Sequence, residues 1–474
     1  MLFRFFTLAS LVSFFLLTCE REQAPHLLSL VPAAQTGVDF VNQLTETDSV
    51  NIMVYEYLYN GGGVGVGDFD RNGLPDLVFT GNMVSSRLYL QLEPWQFTDV
   101  TAAAGLLTDV WVSGVNVGDI NDDGREDIYF SVLNPDGTLD SPNLFYLNEG
   151  KDENGVPTFR EAAKELGLAD ERYGTHSAWF DLENDGDLDL YVLNNSTEAA
   201  SRKMLRGTDT SGTARSLDII YENVGSPGKP SFRPTTINKT EGWGLGVVPQ
   251  DFNGDGYTDF YIGNDFISDD GYLINDQNGG FKWNTKQAFV HTSQHTMGVD
   301  AGDLNNDGYP DILSADMLPD DNLRLKTMFA RINHPFDAKA ATQGYMRQYV
   351  RNTVQINNGN GTYSDYAFIT GVAATDWSWA PMIADFDNDG HRDIFISNGY
   401  PRDVTNRDFV DFGKTTAVFG TDEEIMRKIH EALLDVPGVH QPNYIYQNLG
   451  GMQFRISDWV TEDPTYSNGA VYVD

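Results

Sequence analysis

Asp68-Phe-Asp70-Arg-Asn72-Gly73-Leu-Pro-Asp76 is a nine-residue phrase that returns five more times along the chain. The later copies start at Asp119, Asp181, Asp251, Asp303 and Asp385, and all follow D-x-[DNE]-x-[DN]-G-x-x-D. Positions 1, 3, 5 and 9 carry short oxygen-bearing side chains. In the first copy these are Asp68, Asp70, Asn72 and Asp76, and in the second Asp119, Asn121, Asp123 and Asp127. The third has Asp181, Glu183, Asp185 and Asp189, and the fourth Asp251, Asn253, Asp255 and Asp259. The fifth has Asp303, Asn305, Asp307 and Asp311, and the sixth Asp385, Asp387, Asp389 and Asp393.

Hard oxygen donors around one point, with a glycine at position 6 for the sharp turn, suit Ca²⁺ better than Mg²⁺ or zinc. The spacing resembles the start of an EF-hand loop, with an Asp at position 9 in place of the distant Glu. Each copy leads into an apolar run such as Leu77-Val78-Phe79 or Ile394-Phe395-Ile396. Those runs predict strands, so each loop is expected at a β-hairpin turn and up to six Ca²⁺ are expected. Solvated acidic turns are the plain alternative for one copy and a poor one for six. The third and sixth loops, with four carboxylates each, are expected to bind most tightly if ligand charge dominates.

Anchoring each copy on its first Asp exposes a longer repeat. Five residues upstream stand Gly63, Gly114, His176, Gly246, Gly298 and Ala380. Downstream comes a phrase such as Asn143-Leu-Phe-Tyr-Leu-Asn148-Glu-Gly150 or Tyr444-Ile-Tyr446-Gln-Asn448-Leu-Gly450, then a further strand. Each repeat thus supplies about four short strands. Loops begin 51, 62, 70, 52 and 82 residues apart, intervals that fit four-stranded blades with insertions and not a strict solenoid. The fold predicted is all-β, a seven-bladed type of β-propeller with calcium-binding hairpin loops. It has six full blades, a partial seventh and small helical insertions, over residues 37–474. The ending Tyr466-Ser-Asn-Gly469-Ala-Val-Tyr-Val-Asp474 matches the approach to a seventh loop that begins at Asp474. Gly37 to Gln43 reads as a fourth strand, expected to close the ring by pairing with the C-terminal blade. Asn194–Ser216 reads as an inserted loop and Asn322–Arg331 as a helix. Thr421-Asp-Glu-Glu424 is a capping box opening a helix to about Leu434, with Ile425, Ile429 and Leu433 on one packing face.

The chain has 31 basic and 69 acidic residues in 474, a formal charge of −38. That balance argues against nucleic acid and against electrostatic attachment to anionic lipid. Residues 1–18 read as a signal peptide with the apolar run Phe5–Leu17, too short to span a bilayer. The only cysteine, Cys19, follows it in a setting like a bacterial lipobox, so 19–36 reads as a lipidated tether. An exported protein is expected, an outer-membrane lipoprotein that meets the membrane only through its anchor. No disulfide is possible within one chain, which leaves stapling to calcium and packing.

The loops, the Gly-x-x-x-Gly-Asp approaches (Gly63 to Asp68, Gly114 to Asp119, Gly298 to Asp303) and the Leu-Tyr-x-Asn-x-Gly phrases resemble the FG-GAP/VCBS repeat superfamily. Its fold is that of the integrin α-chain propeller. The specific likeness is to bacterial envelope lipoproteins related to cartilage acidic protein, in which such repeats often precede an ASPIC/UnbV domain. The resemblance implies structural calcium sites on the face opposite the ligand surface.

Eight residues before the loops stand Asn60, Trp111, Tyr173, Trp243, His295 and Trp377, and Tyr466 stands eight before Asp474. At ~3.3 Å per residue they lie about 26 Å from the loops, at the opposite rim. Trp111, Tyr173, Trp243, His295, Trp377 and Tyr466 are therefore a candidate aromatic rim for a glycan or protein partner; blade-to-blade packing is the plain alternative. Trp379 shares the face of Trp377. His291 and His295 have a metal-like spacing but precede a strand. The first functional reading is a non-catalytic, calcium-stabilised envelope propeller that binds a glycan or protein. The rivals are a calcium-dependent polysaccharide lyase or hydrolase, with Arg331 and His334 as candidate acid–base groups, and a structural module of a longer envelope protein.

Overall fold

Each copy of the nine-residue phrase joins the first two strands of a four-stranded antiparallel sheet. In the computed structural model six such sheets follow one another along the chain. The structure describes residues 27–47, 50–135, 141–195, 205, 207–235, 240–328, 334–416, 420–459 and 465–473. Cys19, Arg331, Asp474, the signal peptide and much of the 194–216 insertion lie outside them.

Blade 1 comprises Val64–Gly67, Asp76–Phe79, Arg87–Glu93 and Gln96–Asp99. Blade 2 comprises Val112–Gly118, Asp127–Val132, Leu144–Lys151 and Pro157–Glu161. Blade 3 comprises Gly174–Phe180, Asp189–Asn194, Ile219–Asn223 and Phe232–Thr235. Blade 4 comprises Gly244–Gln250, Asp259–Asn264, Gly271–Asn275 and Phe281–Trp283. Blade 5 comprises Gly298–Gly302, Asp311–Ala315, Thr353–Asn357 and Tyr363–Asp365. Blade 6 comprises Ser378–Ala384, Asp393–Asn398, Tyr444–Asn448 and Phe454–Ile456. The protein is an all-β propeller of six blades with a few small helices.

The burial gradient explains the sequence. Second strands such as Asp127–Val132 are buried at every residue, because neighbouring blades cover both of their faces. They therefore read as unbroken apolar runs and not as alternation. Fourth strands such as Gln96–Asp99 face outward and are largely exposed. First strands line the central channel, where consecutive blades crowd together. A Cβ on Gly114 would lie 2.7 Å from the Thr175 carbonyl, and one on Gly63 or Gly246 would lie 3.1 Å from a backbone nitrogen of the next blade. That close approach is the physical reason for the glycine five residues before four of the six loops.

The sequence-predicted closure by residues 37–43 is corrected. They form no strand. Ala33–Thr36 is a single helical turn capped by Gly37, and an unpaired extended segment then crosses blade 1. Phe40 stacks on Phe79 at 5.4 Å, the Tyr89 hydroxyl donates to Asp39 at 2.9 Å, and Asn42 and Asn82 exchange bonds of 2.7 and 3.0 Å. These side chains hold the segment, so its backbone needs no sheet partner.

Two of the helical expectations are met, the first by a shorter helix than expected. The 322–331 helix is present as Asn322–Thr327, with Asp321 accepting from the Arg324 N–H. Asp422–Leu434 begins at Thr421 with both bonds of the capping box made, and buries Ile429 and Leu433. A second insertion helix, Arg407–Thr416, packs beside it.

Candidate functional site

The loop face is built six times by one hydrogen-bond scheme. The position-1 Asp accepts the N–H groups of positions 5 and 6 in every copy, as when Asp119 takes those of Asp123 and Gly124 at 3.1 and 2.7 Å. Position 4 is left-handed in all six, at Arg71, Asp122, Asn184, Gly254, Asn306 and Asn388. The position-6 glycine has φ between 78° and 96°, the conformation a side chain would strain.

Position 9 opens the second strand and pairs with the residue before position 1. Its carboxylate is buried and uses both oxygens. One accepts from position 2 of its own loop, as Phe69 to Asp76 at 2.9 Å; the other accepts from the third strand, as Gln91 to Asp76 at 2.7 Å. The same two bonds recur at Asp127, Asp189, Asp259, Asp311 and Asp393. Burial pushes these carboxyls up to about 7, and Asp393 to about 6, against the pull of the two N–H bonds. The other loop carboxylates add to the rise. Buried carboxylates facing further carboxylates fit a divalent cation, which would remove that penalty.

Fit varies between loops. Single oxygens of Asp68, Asp70 and Asp76 lie within 4.8 Å of one another, and so do those of Asp385, Asp387 and Asp393. The third loop, expected to be strong on charge, is not gathered in this way. In the second, fourth and fifth loops the position-3 Asn donates to the position-5 carboxylate at 2.9–3.0 Å. A cation there requires that amide to turn its oxygen inward. Arg125 pairs with Asp123, and Lys151 lies 3.6 Å from Asp70.

Sequence reasoning noticed the Asn of the Leu-Tyr-x-Asn-x-Gly phrase without its role. Asn148 donates to the Phe69 carbonyl, Asn275 to Leu182, Asn357 to Phe252 and Asn448 to Leu304, at 2.9–3.1 Å. Each acceptor is position 2 of the loop in the preceding blade. The asparagine therefore staples neighbouring blades at their acidic loops. Its own carbonyl caps the next turn, as when Asn148 accepts from the Gly150 N–H at 3.0 Å.

The opposite face is irregular. Trp111, Tyr173, Trp243 and Trp377 are all under 9 % exposed, so they pack within the ring and form no open platform. His295 is largely buried against Asp265, and Tyr466 is exposed and bonds to His440. His291 and His295 do not converge: His291 faces Asp365 and Arg351, while His295 faces Asp265. What this face offers is a cavity of about 900 Å³ over the ring. Met297, Met317, Trp377, Trp379 and Tyr400 line it from the ring. Ile52, Met53 and Tyr57 line it from the N-terminal segment, and Phe409, Val410 and Ile429 from the insertion helices. Below it, a channel cavity of about 480 Å³ is lined by the first strands of all six blades and by 468–472.

A propeller of repeated acidic hairpins, stapled blade to blade, is the class of protein these features define. An FG-GAP-like repeat model matches residues 51–130, 251–314 and 342–396. The chain carries FG-GAP-like repeats in a β-propeller arrangement. Comparison with curated proteins gave no match. Among solved structures, BBS1N in its complex with ARL6DN is 9% identical with a TM-score of 0.35, covering 70% of this chain and 73% of that one. The V. cholerae biofilm matrix protein Bap1 is 14% identical with a TM-score of 0.32, covering 62% and 36%. At these scores neither likeness carries weight for the ligand. Among the described residues no helix is long and apolar enough to cross a membrane.

Proposed function

We propose that this propeller is a calcium-stabilised, non-catalytic binding module, exported and tethered at the cell envelope through Cys19. It presents a ligand-binding face opposite the loops, to a glycan or protein partner or to a smaller ligand that such a partner carries. The observation that carries this reading is the sixfold recurrence of one loop scheme, each ending in a buried carboxylate with a raised pKa. A cation in each loop would relieve that penalty and stabilise the ring without taking part in chemistry. The test is a calcium titration of the purified chain followed by calorimetry. Saturable binding of several Ca²⁺ supports the reading, and heats no larger than those of Mg²⁺ oppose it.

The same reading extends to a seventh position in the ring. Ser467 donates to Asn398 of blade 6 at 2.9 Å, and Asn468 donates to the Tyr59 carbonyl ahead of blade 1 at 3.0 Å. A Cβ on Gly469 would lie 3.2 Å from the Gly62 carbonyl, the close approach made by the other first strands. At the N-terminus, a Cβ on Gly37 would lie 2.5 Å from the carbonyl of Phe97 in the fourth strand of blade 1. Gly105, which follows blade 1, makes the matching approach to Phe159 of blade 2, and Gly167, which follows blade 2, to Phe232 of blade 3. The match supports reading residues 33–37 as the connector from a blade preceding blade 1. We assign 466–473 and the segment ending at Gly37 to the inner and outer positions of a seventh blade. Deleting 466–474 is expected to lower the melting midpoint by several degrees, and an unchanged midpoint would overturn the assignment.

A further inference from the structure

We propose that the cavity over the ring is a binding site for an uncharged, flat, apolar ring compound. This rests on the binding-module reading and names the ligand class its upper face would take. A cavity of about 900 Å³ has the size of a small-molecule site. Its wall is mostly aromatic, thioether and aliphatic, and the rings in it lie parallel. Trp377 stacks on Tyr400 with ring centres 3.7 Å apart and planes 9° apart. Trp379 lies 5.9 Å from Tyr400 at 22°, and Phe266 stacks on His295 at 5.6 Å and 9°. Inside the blades, pairs such as Tyr129 with Trp179 and Phe252 with Tyr272 meet edge to face instead. Aligned plates favour another plate: a flat ring extends an offset stack, and a puckered one touches fewer ring atoms. Met297 and Met317 adapt to the rest of the ligand's outline.

The charge-bearing side chains of the wall are Glu56, Asp265, His295 and Lys414, and each already has a partner within the chain. Asp265 accepts from the Tyr57 hydroxyl at 3.0 Å and from the Phe266 N–H at 2.7 Å, and faces His295 Nδ1 at 2.9 Å. An ionic ligand of either sign would have to displace such partners or enter an apolar space with its own charge unpaired, and both are costly. An uncharged ligand meets neither cost. It keeps the whole gain of leaving water for an apolar wall.

The test uses the full chain in calcium with four probes of similar size: 2-methoxynaphthalene, 2-methoxydecalin, 2-naphthoate and 2-naphthylmethylamine. Calorimetry gives the affinities and amide exchange gives the place. 2-Methoxynaphthalene is expected to bind about tenfold more tightly than either ion, each of which carries a charge with no partner in the cavity. The puckered 2-methoxydecalin is expected to bind about threefold more weakly than the flat probe. Bound 2-methoxynaphthalene is expected to slow exchange in Arg407–Thr416 and to leave the six loops unchanged. Val410→Trp, on that helix, fills the cavity and is expected to abolish binding of all four with the thermal midpoint kept. An ion or the decalin binding as tightly as the flat neutral probe, no binding of any, or unchanged binding in Val410→Trp would overturn the assignment. If Val410→Trp lowers the midpoint, the exchange footprint decides, and protection that spares Arg407–Thr416 overturns the assignment. A melt that still depends on calcium while no probe binds leaves the module reading standing. Probe binding without any calcium effect does the reverse.

Discussion

The two faces of the ring are built on opposite principles. On the loop face, six hairpins repeat one set of bonds, and third-strand asparagines in blades 2, 4, 5 and 6 tie those blades to the hairpin before. On the other face no two blades end alike. Two helices are inserted in blade 6, and blade 5 carries a parallel pair, Thr292–Ser293 with Gln348–Tyr349. Repetition serves a requirement common to every blade, which is to hold its neighbour. Irregularity is where one blade can do what the others do not. On the proposed reading, stability belongs to the loop face and ligand selection to the other.

The largest test of that division is calcium itself. At a hundredfold excess over Kd, each occupied site would stabilise the fold by about 2.7 kcal/mol. Several sites together are expected to raise the melting midpoint by ten degrees or more over the chelated protein. A midpoint indifferent to calcium would leave the loops as hydrogen-bonded turns and remove the loop face's claim to a cation.

Next in size is a pH effect placed on the irregular face. Asp270 is fully buried, and burial raises its carboxyl to about 7 despite bonds from Asn264, Tyr261 and Thr296. Its folded value exceeds the unfolded value of about 3.9. The folded chain thus binds the extra proton between about pH 4 and pH 7, and stability falls as pH rises through that window. Asp270→Asn is expected to flatten this slope, by an amount on the order of a few kcal/mol over the window. Urea melts at pH 5 and pH 8 check it, and parallel slopes for the two proteins would reject it.

The interblade staple can be broken where it exists and where it does not. Asn448→Ala removes donors to the Leu304 and Arg392 carbonyls, both at 2.9 Å, and leaves buried acceptors unpaired. The expected cost is about 1–3 kcal/mol. In blade 1 the same position is Gln91, which donates within its own blade to Pro75. Gln91→Ala is expected to cost less, about 1 kcal/mol. Equal losses would mean that the bond between blades adds nothing beyond the local turn.

Much of the loop face was legible because its chemistry is local. Ligand spacing, the position-6 glycine and the apolar second strand all fall within about twenty residues. So did the capping box at Thr421. The role of Asn148 was not legible, since its partner Phe69 is 79 residues away. Nor was the fate of residues 37–43. Their alternating pattern suits a strand, but Asp39, Phe40 and Asn42 found side-chain partners in blade 1 before any backbone edge. The rim tryptophans were placed at the right end of the ring, yet periodicity cannot tell a side chain facing a cavity from one packed beneath it. Trp377 lines the cavity, whereas Trp243 is buried away from it.

The smallest expected effect sharpens the comparison most. The Thr421 hydroxyl accepts from the Glu424 N–H at 3.2 Å, and the Thr421 backbone N–H donates to the Glu424 carboxylate at 3.3 Å. Thr421→Ala removes the hydroxyl that accepts from Glu424, leaves the backbone N–H bond in place, and costs the helix about 1 kcal/mol. That helix carries Ile429 to the cavity and buries Leu433 beneath it, but it lies outside every blade sheet. If the two faces are energetically separate, the loss stays local. Amide exchange should then quicken across 422–434 while the second strands and the calcium-loaded midpoint do not change. Exchange that quickens in Asp393–Asn398 as well would show that the insertion and the ring open as one unit, and the division between a stabilising face and a selecting face would fail at blade 6.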